Sequence, residues 1–191
     1  VIVGRALDTR TPLIGEDLRW IEFQPYWNVP ASIARKELLP LLARAPGHWS
    51  REGFEFVGAG GGVDTLLTAG NLQAVLDGRA RIRQRPGSRN ALGDIKFVFP
   101  NRESIYLHHT PSLQLFERAR RDFSHGCIRV EDPVALAAFV LAGLPGWTAE
   151  RIAGAMTREP SSTVVLAQPL PVLIAYSTAL VKDTRVYFFD D

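Results

Sequence analysis

The single cysteine of the chain, Cys127, directly follows a histidine and a glycine in the stretch "RDFSHGCIRV". A thiol becomes a strong nucleophile when a neighbouring base or positive group favours the thiolate. Two histidines are candidates for that base: His125, adjacent in sequence, and His108, at the end of an earlier predicted strand. Gly126 allows close approach of a substrate to the backbone. The pattern indicates a nucleophilic cysteine with a histidine base, and spacing alone does not choose between the two histidines.

Further groups near Cys127 could assist acyl transfer. The backbone N–H groups of Gly126 and Cys127 could form an oxyanion hole for a tetrahedral intermediate. Arg129 could hold a substrate carboxylate, for which the guanidinium fork is well suited. Tyr106 shares one face of a predicted strand with His108 and is a second candidate for substrate contact.

Two other interpretations of Cys127 stay open at this point. A lone cysteine is often a small buried core residue without chemistry. A zinc site could use Cys127 with His108, His109 and His125. Structural zinc usually has paired ligands at short spacing, such as C-x₂-C, and the sequence has no such pair.

The composition is that of an ordinary globular domain. The chain has 191 residues, of which 46 % are hydrophobic and 22 % charged, and its formal net charge is +2. A charge this small does not call for a nucleic-acid partner. No apolar run reaches the roughly 20 residues that a transmembrane helix needs.

The elements that must position these residues are mostly strands. Residues 95–99 and 104–109 alternate apolar and polar side chains around the turn "PNRE", which predicts a β-hairpin ending at the histidines. Asp132 and Thr148 are predicted to cap two short helices, and Ser32 to cap a helix that Pro40 breaks or restarts. Residues 163–189 are strand-rich, with a turn at 182–184. The pattern predicts a β-dominated α+β domain.

The segment 44–93 has a different texture. It contains "GAGGG", isolated aromatic residues and one helix candidate at 71–77, and it predicts a long, loop-rich excursion. Such segments are often lids or binding loops. We expect residues 49–62 to be mobile and to close over a bound substrate.

The stretch "SHGCIR" (124–129), preceded by the "LHHT" histidine, resembles the signature of L,D-transpeptidases with a YkuD-type catalytic domain. Fifteen residues separate His108 from Ser124, in keeping with that signature. Several other stretches resemble the large, YcbB-like branch of the family: 3–12, 25–40, 83–101, 105–116 and 171–181.

The resemblance implies a periplasmic enzyme that acts on peptidoglycan. Such enzymes attack the bond between diaminopimelate and the terminal D-alanine of a tetrapeptide stem, form a thioester, and transfer it to a second diaminopimelate amine. The product is a 3→3 cross-link. No metal or organic cofactor is implied, the partners are donor and acceptor stem peptides, and carbapenems are expected as inhibitors. An L,D-carboxypeptidase, or a hydrolase that releases lipoprotein from peptidoglycan, would use the same thioester. A non-catalytic cell-wall-binding module is a more remote alternative.

The resemblance also implies roles for individual residues. Cys127 would be the nucleophile and His108 the base, oriented by the backbone carbonyl of His109. Ser124 and His125 would frame the site. The family fold is a β-sandwich-like domain with small helices, here spanning 1–191, and residues 31–90 are the candidate for an inserted capping subdomain. Because family members carry strands before the "VIVGR" segment, we expect the chain to be an N-terminally truncated catalytic domain.

Overall fold

A computed structural model of the chain describes residues 1–158 and 160–188. Short helices and many strands alternate along it, which confirms the predicted β-dominated α+β class. Within the described residues, none of the helices combines the length and apolarity needed to cross a bilayer. The strands are β1 (Val3–Gly4), β2 (Ile14–Phe23), β3 (Trp27–Asn28), β4 (Phe54–Gly58), β5 (Val63–Asp64), β6 (Ala80–Gln84), β7 (Ile95–Val98), β8 (Leu107–His108), β9 (Asp122–Ser124), β10 (Ile128–Arg129), β11 (Ser162–Ile174), β12 (Ala179–Lys182) and β13 (Arg185–Phe188). The α-helices are α1 (Ala31–Ile33), α2 (Leu39–Arg44), α3 (Gly47–Arg51), α4 (Ala69–Leu76), α5 (Pro133–Leu141) and α6 (Ala149–Thr157).

The largest sheet carries the catalytic candidates at one edge. Its strand order is β10-β8-β7-β2-β11, with β10 and β8 parallel and the other neighbours antiparallel. Ile95, Phe97 and Phe99 are fully buried, as their alternation predicts, and they pack with residues of β2, α5 and α6 in one core. This packing fixes β7 and β8, and through them the histidines that follow.

Local hydrogen bonds begin α5 and α6 where the sequence predicts. The Asp132 side chain accepts the Ala135 N–H at 2.9 Å, and Pro133 opens α5. Thr148 Oγ1 accepts the Arg151 N–H at 3.3 Å at the start of α6. Both caps satisfy an N–H that the helix itself leaves free, which confirms these two predictions.

A second core occupies the segment that the sequence pattern predicts to be loop-rich, and that prediction is wrong. The strand order β3-β6-β4-β5 forms a four-stranded sheet, flanked by short helices. Trp49 stacks on Phe56 with ring centroids 4.2 Å apart, and both side chains are buried. The aromatic residues looked isolated in sequence because their partners lie on other elements. Residues 49–57 are therefore largely core and strand.

The chain enters this second unit through a continuous helical stretch. Ser32 does not cap it, since Pro30 is the N-cap and no side chain caps the end. A π-helical turn at Ala34–Leu38 connects α1 to α2, and Pro40 lies at the start of α2. Proline lacks an N–H, and its ring crowds the carbonyl one turn earlier. A wider turn accommodates both the missing hydrogen bond and the bulk of the ring. The sequence predicts that Pro40 either breaks the helix or restarts it, and in the structure it starts the next turn.

The predicted hairpin is present but shorter on its second strand. Lys96 pairs with His108 and Phe97 with Leu107, whereas the expected strand start at Ser104 belongs to a turn. The C-terminal hairpin of β12 and β13 turns at Asp183 and Thr184, both with positive φ, as the turn prediction requires. Phe189, the end of that predicted segment, lies outside the described residues.

Candidate active site

A cavity of about 780 Å³ lies between the two cores and contains six of the eight predicted site residues. One wall comes from residues 26–30 and 32–33, Glu37 and residues 91–92, and the other from the large sheet and the loop before β10. Residues 49–62 do not line it in this structure, and the closure of this segment over a bound substrate stays a prediction. The predicted residues that face the cavity are Tyr106, His108, Ser124, His125, Cys127 and Arg129.

His108 is held as a neutral, oriented base. Parallel pairing of β8 with β10 places it opposite Arg129, and only 4 % of its surface is exposed. Its Nδ1 donates a hydrogen bond to the carbonyl oxygen of His109. Burial, with a smaller effect of the Arg129 charge, lowers the pKa of His108 to about 4 against the opposing effect of nearby carbonyls. A neutral ring protonated at Nδ1 keeps its lone pair at Nε2, which is the form a general base requires.

His109 contributes a fixed side chain as well as its carbonyl. Its Nδ1 lies 3.4 Å from the Asp94 backbone nitrogen and 3.3 Å from Asp94 Oδ2. A Cβ at Gly93 would fall 2.6 Å from that same ring nitrogen, and Gly93 has φ +62°. Gln24 Nε2 donates to Asp94 Oδ1 at 3.2 Å and extends the contact to β2. The ring is therefore locked in place next to the carbonyl that orients His108.

Hydrogen bonds within the loop before β10 fix the backbone around Cys127. Ser124 is buried, and its Oγ donates to the Cys127 carbonyl at 2.5 Å while accepting the Gly126 N–H at 3.1 Å. Thr11 Oγ1 donates to the Gly126 carbonyl at 2.8 Å. Gly126 has φ +118°, and a Cβ there would lie 2.9 Å from Ile105 Cδ1, so only glycine fits.

These bonds bear on the expected oxyanion donors. In this structure the Gly126 N–H donates to Ser124 Oγ, and its role as an oxyanion donor stays a prediction. Among the described residues, no acceptor binds the Cys127 N–H, which leaves this group as the available donor beside the sulfur.

Cys127 is a neutral thiol in this resting state. Burial raises the pKa of Cys127, whereas the Tyr106 backbone and hydroxyl and the charges of Lys96 and Arg129 act to lower it. Burial, together with the neighbouring Cys127, also raises the pKa of the Tyr106 phenol. The sulfur donates to the Ser104 carbonyl at 3.8 Å, so its proton is not directed at His108.

His125 contacts a carboxylate of the second unit and so joins the two units. Its Nε2 lies 2.7 Å from Glu37 Oε1, on the π-helical turn of the second unit. Of the two candidate bases, His125 thus has a carboxylate partner of its own. Nothing in the sequence around Glu37 signals this contact, which joins residues 88 positions apart.

Two cations flank the sulfur. Arg129 lines the cavity, and its buried Nε has no hydrogen-bond partner among the described residues. Lys96 Nζ lies 3.2 Å from Glu22 Oε2 and 4.6 Å from the centre of the Tyr106 ring. Our sequence reasoning missed Lys96, although a signal existed: it alternates with buried Ile95 and Phe97 and therefore faces the side that His108 shares. In the described part of the chain, no three His, Cys, Asp or Glu side chains converge as a metal site.

The chain also matches known proteins. Residues 1–165 match the sequence profile of the family described as YkuD, the L,D-transpeptidase catalytic domain. The chain belongs to this family. It is also similar to a protein of Haemophilus influenzae named "Putative L,D-transpeptidase", with 31 % identity over 193 aligned residues. The alignment covers 100 % of this chain and 38 % of that relative, so the chain spans less than half of the relative's length.

Family membership gives the cavity its context. The family to which the chain belongs is that of an L,D-transpeptidase catalytic domain. The cavity lies where the profile match places the catalytic domain, and its wall from the second unit also falls within residues 1–165.

Proposed function

We propose that this domain is a peptidoglycan L,D-transpeptidase that works through a thioester on Cys127. The observation that carries the proposal is the placement of three groups around one cavity: a thiol, a neutral buried imidazole, and an arginine whose Nε has no hydrogen-bond partner among the described residues. The same constellation supports cysteine acyl transfer in general, and family membership supports the stem peptide as substrate.

In the first half-reaction, Cys127 Sγ attacks the carbonyl carbon of the bond between diaminopimelate and the terminal D-alanine. The S–H proton passes to His108 Nε2 as the S–C bond forms, and the Cys127 N–H faces the developing oxyanion. Collapse of the intermediate breaks the C–N bond, and His108 returns the proton to the departing D-alanine amine. Because the S–H donates to the Ser104 carbonyl in this structure, the S–H bond must first rotate toward His108.

In the second half-reaction, the side-chain amine of another diaminopimelate attacks the thioester carbonyl. His108 takes a proton from that amine, and the C–S bond breaks to regenerate the thiol, which leaves a 3→3 cross-link. Arg129 is proposed to bind a carboxylate of the stem, because its Nε is buried without a partner and the guanidinium matches carboxylate geometry. A periplasmic location, and acylation of Cys127 by a carbapenem, belong to the same proposal.

Mass spectrometry of the protein and its products tests this. Incubation with a disaccharide-tetrapeptide should release D-alanine, give a transient acyl adduct on Cys127, and yield cross-linked dimers. Cys127→Ala should give none of these, and a cross-linking Cys127→Ala variant would disprove the proposal. Release of tripeptide without dimers would instead identify water as the acceptor and favour the L,D-carboxypeptidase activity.

A further inference from the structure

The turn between β7 and β8 contains a strained residue beside the nucleophile. Ser104 has φ +56°, in the left-handed region that costs a residue with a Cβ about 1–2 kcal/mol. Such conformations persist only where the surroundings enforce them, and they concentrate at functional sites. We call residues 101–105 the clasp turn.

Asn101 enforces the conformation of the clasp turn from one end to the other. Its Nδ2 donates to the carbonyls of Phe99 and Ile105, each at 2.7 Å, and its Oδ1 accepts the Ile105 N–H at 2.9 Å. Ile105 is buried in the main core and contacts Gly126 of the nucleophile loop. The turn is therefore tied both to the sheet and to the loop that carries Cys127.

The strained residue directs its carbonyl at the sulfur. Ser104 O accepts the Cys127 S–H at 3.8 Å, and Ser104 also lines the cavity. With a negative φ at Ser104, the peptide unit would rotate and the carbonyl would leave the sulfur. The contact between the Ser104 carbonyl and the thiol thus depends on the strained backbone conformation of Ser104.

We propose that Asn101 and Ser104 are positioning residues for the nucleophile: the clasp turn holds the Ser104 carbonyl against the S–H and keeps the sulfur protonated and turned away from His108 until substrate enters. The inference rests on the proposed role of Cys127 as nucleophile. A carbonyl oxygen is the negative end of a dipole, so it accepts from a neutral thiol and repels a thiolate.

Glu103 on the clasp turn and Glu37 on the π-helical turn line the same cavity and also disfavour a thiolate, whereas two cations and a phenol act in the opposite direction. Lys96 on β7, Arg129 on β10 and the Tyr106 hydroxyl all favour the thiolate. His108 lines the same cavity as a neutral ring. The clasp turn therefore works with burial against two cations and a phenol, and removing it should increase the thiolate fraction.

A matched pair of variants at Ser104 tests the inference. Ser104→Gly accepts a positive φ without strain and should keep the carbonyl in place, whereas a β-branched residue cannot adopt this conformation, so Ser104→Val should displace it. The readout is the pH midpoint of Cys127 alkylation by iodoacetamide, in samples that melting curves show to be folded. Cys127 is the only thiol in the chain, so the signal is unambiguous. Steric access alters the plateau rate but not the midpoint.

We expect a lower pH midpoint of Cys127 alkylation in Ser104→Val and in Asn101→Ala. At pH 7 their alkylation should be faster by about two- to tenfold, which corresponds to the net free energy of one hydrogen bond. Ser104→Gly should keep the wild-type midpoint. A folded Ser104→Val with the wild-type midpoint, or a lowered midpoint in Ser104→Gly, overturns the inference. Should Asn101→Ala fail to fold, the Ser104 pair decides alone. Alkylation needs no substrate, so a lowered midpoint in the variants, together with a wild-type protein that does not process muropeptides, would contradict only the proposed function.

Discussion

Acid should destabilise the folded protein through His108. Burial lowers the pKa of His108 from 6.5 to about 4. Between these two pH values, His108 binds a proton in the unfolded chain but not in the folded protein. The contribution of His108 to the unfolding free energy is fully present above its pKa in the unfolded chain. This contribution is lost as the pH falls toward its pKa in the folded protein. Since each pKa unit is worth about 1.4 kcal/mol, the loss in unfolding free energy near pH 4 is about 3 kcal/mol.

Urea unfolding at about pH 7.5 and about pH 4, followed by tryptophan fluorescence, measures this loss. Wild type is compared with His108→Asn, whose amide can still donate to the His109 carbonyl but does not titrate. Acidification should cost His108→Asn about 3 kcal/mol less than wild type. His48→Asn is the matched control, because His48 lies on α3 outside the cavity, and it should behave as wild type.

Carboxylates also titrate in this window, but they are common to all three proteins and cancel in the comparison. Equal acid destabilisation of wild type and His108→Asn would refute the reasoning, because it would mean that the folded protein accommodates a charged His108. The base would then be an imidazolium under mildly acidic conditions, and a general-base role for it would fail there.

Three further predictions concern the surroundings of Cys127 and His108. Gly93→Ala places a Cβ 2.6 Å from the His109 ring and should slow acylation of Cys127 by about 10- to 100-fold, measured by intact-protein mass spectrometry; an unchanged rate would show that the ring does not matter. Arg129→Gln should lower kcat/KM for the tetrapeptide donor by about 10- to 100-fold, with partial recovery in Arg129→Lys, and an unchanged value would exclude the carboxylate contact. Trp49→Ala should cost about 3–5 kcal/mol of stability by urea unfolding, and a rate of Cys127 alkylation altered in the folded variant would contradict its placement outside the cavity.

Much of the main sheet and of the reacting pair could be predicted from the sequence. Alternation placed Phe97 and its neighbours in the core, and the caps at Asp132 and Thr148 follow from bonds to N–H groups three residues away. The resemblance indicated an inserted unit at 31–90, but its sheet and packed core could not be predicted, since no local period marks them. Trp49 and Phe56 acquire meaning only when α3 packs on β4.

The sequence by itself determined which groups are available for the proposed chemistry: the thiol of Cys127, the imidazole of His108 one hairpin away, and the family that carries them. Their state was decided by the tertiary structure alone. Burial makes His108 neutral and keeps Cys127 protonated, Glu37 engages His125 from 88 positions away, and Ser124 takes the Gly126 N–H. The physical reason is that burial and long-range hydrogen bonds depend on how the two cores pack against each other. The spacing of residues along the chain does not specify that packing.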